Sequence, residues 1–504
     1  MTNPIPNESE SSRQSPASGA YLALTLLLAI NLLNYIDRYI LAGVLPKVQT
    51  DPALMAANNN EPLSYTQVGA LAPAFVWAYA LFSPLFGWLG DRWKRWFIVG
   101  LGVILWSFAS GGTGLATGFL MLFLTRCMVG IGEAAYGPVA PTVLSDMFPV
   151  SRRGTIMALF YMAIPVGSAI GFLYGGVIAD SSLGWRWAFY LVVPPGILLG
   201  VLCFFMKEPP IGLADAVATR KATRADYLLL PKIPSFVCNT IAATGMSFAI
   251  GGMSYWMPTY IYDREAGFEW TDRVIADAKA DEVIPVPQSV LDKVSALKQP
   301  EQFEDGRAFR RWFETALDPK ERQLYTYTLT SVGRTKDSLS LGAVGLYFGV
   351  ITALGGLTAT LFGGWLGDRL RTRYGGSYFL VSGWSAIIGL PMFVLALIAP
   401  FPMAWLLLFL AVFAVFVNTG PSNTALANVV PPAIRSSAFA FNILIIHVLG
   451  DGISPTIIGM VGDASNLTNG LMLVSVMIGV SGVVWVFGAR YLARDTELAP
   501  TRLQ

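Results

Sequence analysis

Twelve predominantly apolar stretches, most of them near or above the ~20 residues an α-helix needs to cross hydrocarbon, recur along this 504-residue chain. They lie near 20–46, 64–88, 96–118, 119–147, 154–180, 186–206, 234–262, 338–366, 376–398, 402–428, 435–460 and 468–492. Few folds accommodate that pattern outside a bilayer, and the expected class is an all-α integral membrane protein with twelve transmembrane helices. The composition agrees, with 54% hydrophobic and 13% charged residues, about half the charged share of an ordinary soluble domain. A net charge of +2 is too small to call for nucleic acid or an acidic partner. Cys127, Cys203 and Cys238 fall in or beside apolar runs, as small core residues rather than a disulfide or metal framework.

Charge placement orients the spans. Short connections carrying Arg92, Lys94, Arg95, Arg152, Arg153, Arg369, Arg371, Arg373 and Arg435 are basic, while the alternate connections hold little beyond Lys47 and Arg186. The positive-inside rule therefore predicts that both termini face the cytoplasm. The expected layout is a cytoplasmic tail 1–19, a six-helix bundle 20–206, a cytoplasmic linker 207–233, a second bundle 234–492 and a tail 493–504. The tail 1–19 lacks a cleavage signal, so the first span is expected to be retained. Residues 263–336 interrupt the second bundle with mixed charge and with Trp270, Trp312 and Phe313 at partly helical spacing. Short amphipathic helices are expected there, on the extracytoplasmic side, resting on the outer mouth or the lipid headgroups. An insertion without function accounts for the segment equally well.

An internal repeat joins the halves. F-G-W-L-G-D-R-W-K-R, Phe86 to Arg95, returns as G-G-W-L-G-D-R-L-R-T-R, Gly363 to Arg373, each closing the second helix of its six. The G-x-L-G-D-R element resembles the loop between the second and third helices of the major facilitator superfamily, and the resemblance spans the whole chain. It implies two pseudo-symmetric six-helix bundles rocking about a central site by alternating access. Gly87, Gly90, Gly364 and Gly367 permit close helix approach. Asp91, Arg92 and Arg95, with Asp368 and Arg369, are the expected cytoplasmic gate, the aspartates meeting arginines or a helix N-terminus across that face. Charges that merely orient the chain are the plainer alternative.

Within the superfamily the chain resembles the spinster-like transporters. The resemblance rests on N-Y-I-D-R-Y-I-L-A-G-V-L-P (Asn34 to Pro46), R-C-M-V-G-I-G-E-A-A-Y-G-P-V-A-P-T-V-L-S-D-M-F-P (Arg126 to Pro149), F-Y-M-A-I-P-V-G-S-A-I-G (Phe160 to Gly171) and H-V-L-G-D-G-I-S-P-T-I-I-G (His447 to Gly459). The anion:cation symporter branch also carries an N-Y-x-D-R and an R-x-x-x-G-x-G-E-A, as the first two stretches do; the last two favour spinster. The large insertion and a weaker match in the second half depart from the family pattern.

Ionisable groups at membrane depth mark a solute or proton pathway more often than packing. On the fourth span Arg126, Gly130 and Glu133 share one stripe; on the first, Asn31, Asn34 and Arg38 do, with Asp37 three residues after Asn34. If both helices face the interior, as the family fold implies, Asp37, Arg38, Arg126 and Glu133 form a mixed-charge cluster of zero formal charge. Such a cluster persists at low dielectric only when its members pair. Protonating a carboxylate then frees an arginine for an anionic headgroup. Glu133 and Asp37 are the expected proton-coupling carboxylates, and Arg38, Arg126, Asn34 and Glu133 the expected substrate-binding residues; a permanent ion-pair lock is the alternative. His447, the chain's only histidine, lies four residues before Asp451 and is a candidate second proton site or a packing residue. Asn418, Ser422 and Asn423 on the tenth span offer neutral hydrogen bonds.

Spinster-like proteins imply an amphiphilic cargo such as a lysophospholipid or sphingoid phosphate; a small organic anion is the rival. A membrane enzyme lacks support, since neither a nucleophile–base pair nor H-E-x-x-H occurs, and the missing Walker-type loop argues against an ATP-driven pump. No cofactor is expected. The remaining expectations are a monomer in a bacterial inner membrane, exchanging protons and cargo.

Overall fold

The computed structural model describes residues 16–59, 61–90, 92–148, 156–157, 159–208, 228–264, 266–281, 284–300, 303, 306–335, 337–431 and 434–502. Among them are twelve helices long and apolar enough to cross a membrane: Ala20–Gln49, Tyr65–Gly90, Arg95–Gly114, Phe119–Met147, Leu159–Asp180, Trp185–Cys203, Pro234–Arg264, Leu341–Arg371, Ser377–Ile398, Met403–Val429, Ala438–Ala464 and Leu467–Leu498. They are called here the first to twelfth spans. Asp91, Arg152 and Arg153, and most of the linker 207–233, lie outside the described residues.

Helix pairing repeats between the halves. The first span packs on the fifth as the seventh packs on the eleventh, the second on the fourth as the eighth on the tenth, and the third on the sixth as the ninth on the twelfth. The halves then meet through the fifth and eighth spans and, symmetrically, the second and eleventh. Most spans start and stop within a few residues of the apolar runs. The twelfth runs on to Leu498, past the end of its apolar run, because Asp495 accepts the Ser235 amide at 2.9 Å and the Arg502 guanidinium at 2.5 Å. A carboxylate at the start of the seventh span opposes that helix's positive end and fixes the last turns of the twelfth.

The two ends of the molecule differ. At the end carrying the 263–336 insertion, the halves interlock: a Cβ on Gly69 of the second span would sit 2.6 Å from Pro455 O of the eleventh, and one on Gly349 of the eighth 2.9 Å from Ala169 O of the fifth. One apolar core runs through both halves there, from Leu41, Val44 and Phe172 to Phe348, Trp256 and Ile458. At the opposite, basic end, the N-terminal half keeps a separate core around Trp96, Trp106 and Tyr136. The glycines of the repeated motif there face their own half. Gly87 and Gly90 meet Pro138 and Val139, Gly363 meets Val417 and Gly367 meets Tyr378, while Gly364 faces open space. The close approach made at Gly87, Gly90, Gly363 and Gly367 is thus within each bundle.

The described residues of the insertion form four helices, Asp272–Lys279, Gln288–Ser295, Gly306–Glu314 and Pro319–Val332. Their apolar faces cover one another, burying Val274, Leu291, Phe309, Phe313 and Leu329 in a small core of their own. Trp270 is buried there and donates to Ser295 Oγ at 3.2 Å, and Trp312 donates to Lys298 O at 3.1 Å. The stems are stitched by Thr335 N to Gly267 O at 2.9 Å and by Arg334, whose guanidinium donates to Tyr262 O and Leu339 O. Between the insertion and the span ends lies a cavity of about 1070 Å³.

Candidate functional site

A second cavity, about 350 Å³, sits at mid-depth between the halves. The first, second and fourth spans form one wall, with Arg38, Tyr39, Phe75 and Arg126; the seventh, tenth and eleventh form the other, with Asn239, Ser422, His447 and Asp451 among them. Much of the remaining lining is apolar, including Leu41, Leu71, Val76, Met246 and Ile250.

The charge cluster is layered. Arg38 and Arg126 reach the cavity, while Asp37 and Glu133 lie behind them, each about 1% exposed. The Arg38 guanidinium donates to Glu133 Oε2 and packs over the Tyr35 and Phe75 rings, 5.0 and 4.7 Å from their centroids. Its side chain is 31% exposed on the cavity side against 2% for Glu133. Arg38 therefore holds a buried carboxylate with one part of its fork and faces solvent with another. Cation–π contact with two rings helps keep the guanidinium at this depth.

Asp37 turns from its neighbour by one helical step and accepts from Ser110 Oγ of the third span. Among the described residues its Oδ2 has no hydrogen-bond partner, and neither has Glu133 Oε1. Arg126 donates to Thr113 Oγ1 at 3.3 Å and lies 5.7 Å from the Phe189 ring centroid, with Nε unpartnered. Asn34 is buried, its Nδ2 also unpartnered, and is not part of the cavity wall. Several buried polar atoms with open valences within one cluster are unusual, since most such atoms are satisfied.

On the facing wall His447 Nδ1 lies 2.9 and 3.0 Å from the Asp451 carboxylate oxygens, within a π-helical turn spanning His447–Asp451. Such turns re-aim side chains and recur at functional sites. Of the tenth-span residues, Asn418, Ser422 and Asn423 all line the cavity; Asn418 and Asn423 each spend an amide N–H on their own helix, on Val415 O and Thr419 O.

The seventh span supplies more of that wall than the tenth or the eleventh and carries lining residues that the sequence pattern did not single out. Asn239, Ala243, Ser247, Ile250 and Ser254 follow one another at helical spacing and all line the cavity, with Tyr255 donating to Val68 O at 2.5 Å. That stripe, small or polar at every position but Ile250 in an otherwise apolar helix, was the available signal. Asn442 of the eleventh span lines the cavity too, and its Oδ1 accepts from Thr240 at 2.9 Å.

The motif residues at the basic end bond inside their own halves. Arg95 pairs with Asp146 at 2.6 Å and Glu208 at 2.8 Å. Arg92 donates to Trp88 O at 3.2 Å and stacks on that ring. Asp368 accepts from Tyr378 OH at 2.7 Å, and Arg369 lies over Trp365. Asp91, the remaining gate candidate, falls outside the described residues.

Residues 27–276 match the Major Facilitator Superfamily. Protein spinster homolog 3 of Danio rerio is 28% identical over 461 residues, covering 89% of this chain and 78% of that protein. The Danio rerio sphingosine-1-phosphate transporter SPNS2 is 27% identical over 493 residues, covering 93% and 84%. The solved structure of a bacterial homolog to the human lysosomal transporter spinster, inward-facing and occupied, aligns with a TM-score of 0.66 at 20% identity, covering 96% of this chain and 98% of that one. The chain is a multi-pass integral membrane protein that belongs to the major facilitator superfamily, a spinster-like transporter and not an enzyme.

Proposed function

We propose that the chain is a proton-coupled secondary active transporter that works by alternating access and moves a lysophospholipid or a sphingoid-phosphate-like amphiphile. The observation that carries this reading is the position of Arg38, bonded to buried Glu133 behind and exposed to the central cavity in front. One guanidinium cannot serve the carboxylate and an anionic headgroup both at full strength. A proton on Glu133 weakens its hold on Arg38, so proton uptake and headgroup capture favour the same rearrangement. Asp37, with one oxygen fixed by Ser110 and the other unpartnered, is the second coupling carboxylate. Arg126 adds a second cation for the headgroup; Asn34 and Glu133 hold the cluster's rear, and His447 with Asp451 forms a proton-sensitive pair on the opposite wall.

The apolar part of the lining favours an amphiphile over a small hydrophilic anion, and a relative named as a sphingosine-1-phosphate transporter supports that cargo class. With the basic end assigned to the cytoplasm by the positive-inside rule, both termini are cytoplasmic and the arrangement is inward-facing, closed at the insertion end. In the opposite state Asp91, Arg92, Arg95, Asp368 and Arg369 engage across the cytoplasmic face. The setting we infer is a bacterial inner membrane, with the chain acting as a monomer.

Purified protein in liposomes under an imposed proton gradient tests the proposal. Labelled lysolipid is expected to move in a gradient-dependent manner, and a labelled sugar acid is not. Gradient-driven movement of the sugar acid alone assigns the site to organic anions instead.

A further inference from the structure

We propose that Asp180 and Asp463 are positioning residues for the transport cycle, a two-fold-related pair of latches that hold the insertion end shut. The proposal rests on the alternating-access reading above. Asp463, near the end of the eleventh span, crosses to the other half and receives the first amides of the second span: Tyr65 N at 2.8 Å, Thr66 N at 2.7 Å and Thr66 Oγ1 at 2.6 Å. Asp180, the last residue of the fifth span, crosses the opposite way and receives Gly342 N of the eighth at 2.9 Å.

The two contacts are one design used twice. Tyr65 and Gly342 are 277 positions apart, the same interval that separates Gly87 from Gly364 in the repeated motif. Each aspartate ends a helix that occupies the same place in its half, and each grips the start of the other half's second helix. A carboxylate against free amides at a helix N-terminus gains from charge-assisted hydrogen bonds and from the helix dipole. Both gains vanish when the halves part at this end, so the latches act on the closed state alone. A residue that stabilised open and closed states equally would shift nothing.

The placement also explains what the repeated motif does at the other end. Asp368 lies in the last turn of the eighth span at the basic end, and Asp91 follows the second span directly in sequence; these are the two helices whose starts are gripped by Asp180 and Asp463. Each of these helices thus offers its amides to a carboxylate at one end and carries a carboxylate at the other. In this structure the insertion-end contacts are made, and Asp368 is turned to Tyr378 of its own half. Opening one end and closing the other exchanges one set of carboxylate grips for the other, which keeps the two states close in free energy. Asp463 takes three donors where Asp180 takes one, so the second–eleventh contact is the stronger latch.

The test is a Val68→Cys reporter on a background in which Cys127, Cys203 and Cys238 are replaced by Ser. Val68 is fully buried at this interface, so a membrane-impermeant maleimide applied from the insertion side reports opening. Labelling is expected to rise about threefold in Asp180→Ala and about tenfold in Asp463→Ala, with the double variant fastest. Asp463→Asn, which keeps an acceptor and loses the charge, is expected between parent and Asp463→Ala, and guards against a folding defect. Unchanged labelling in a monodisperse double variant overturns the latch. The alternating-access reading fails separately, when parent labelling responds to neither lysolipid nor a proton gradient.

Discussion

Replacing Glu133 with Gln isolates the coupling step. The substitution preserves shape and leaves one oxygen able to accept from Arg38, but removes the charge and any response to protons at that site. A hydrogen bond to a charged group contributes about 1.5–3 kcal/mol. The 3–5 kcal/mol typical of breaking a fully buried pair is too large here, because the Arg38 side chain is 31% exposed to the cavity and stays hydrated on that side. Freed from competition, Arg38 should bind an anionic headgroup about 10- to 100-fold more tightly. On the proposed coupling the same gain comes from a proton in the wild type, so binding should tighten as pH falls. In Glu133→Gln binding should be tight and nearly flat with pH, and uphill transport should be lost while exchange of bound cargo persists. Equilibrium binding of labelled lysolipid to detergent-purified protein between pH 5 and 8 measures all of this. A variant that keeps the wild-type pH slope removes Glu133 from the coupling step and shifts the role to Asp37 or His447.

Two further perturbations probe the framework around the site. Gly345→Val places a side chain against Phe172 O and Leu173 N of the fifth span, where overpacking costs about 1–3 kcal/mol in the closed insertion end alone. The equilibrium should move toward the opposite state by about tenfold, read as lower reactivity of a cysteine introduced on the cytoplasmic side; unaltered reactivity contradicts the interlock. Phe309→Ala empties the centre of the insertion core, where Phe309 is fully buried against Phe303 and Phe313, at a cost of about 3–5 kcal/mol. Trypsin should then cut within the insertion while the spans stay protected, and a cleavage rate equal to wild type shows the four helices are not held by that core.

Much of this was legible in the chain because the bilayer narrows the choices. Apolar length gave the twelve spans, since a helix is the economical way to satisfy a backbone in lipid, and the repeated G-W-L-G-D-R gave the halves. The stripe Arg126, Gly130, Glu133 put the fourth-span charges on one face because helical spacing is rigid. What spacing could not give was depth. Asp37 and Arg38 are adjacent in sequence, yet one points into the bundle toward Ser110 and the other into the cavity. The polar stripe of the seventh span was readable but carries no charge, so it stood out less than Arg38 or His447. In the sequence Asp180 and Asp463 are single carboxylates at or just past the ends of apolar runs, with no motif to mark them; the contacts each makes depend on which helix of the other half it meets, and that is a property of the assembled bundle.

The insertion leaves and re-enters the bilayer through the seventh and eighth spans, so both of its stems belong to the C-terminal half, while the chamber beneath it is also bounded by Pro46, Lys47, Thr50 and Tyr65 of the N-terminal half. The roof is therefore carried by the C-terminal half alone, while the floor is shared between the two halves, with Tyr260, Leu397 and Leu467 on the C-terminal side. Under the alternating-access proposal that antechamber changes shape as the bundles tilt, and a molecule released at this end would pass first through a sheltered porch rather than straight into bulk water.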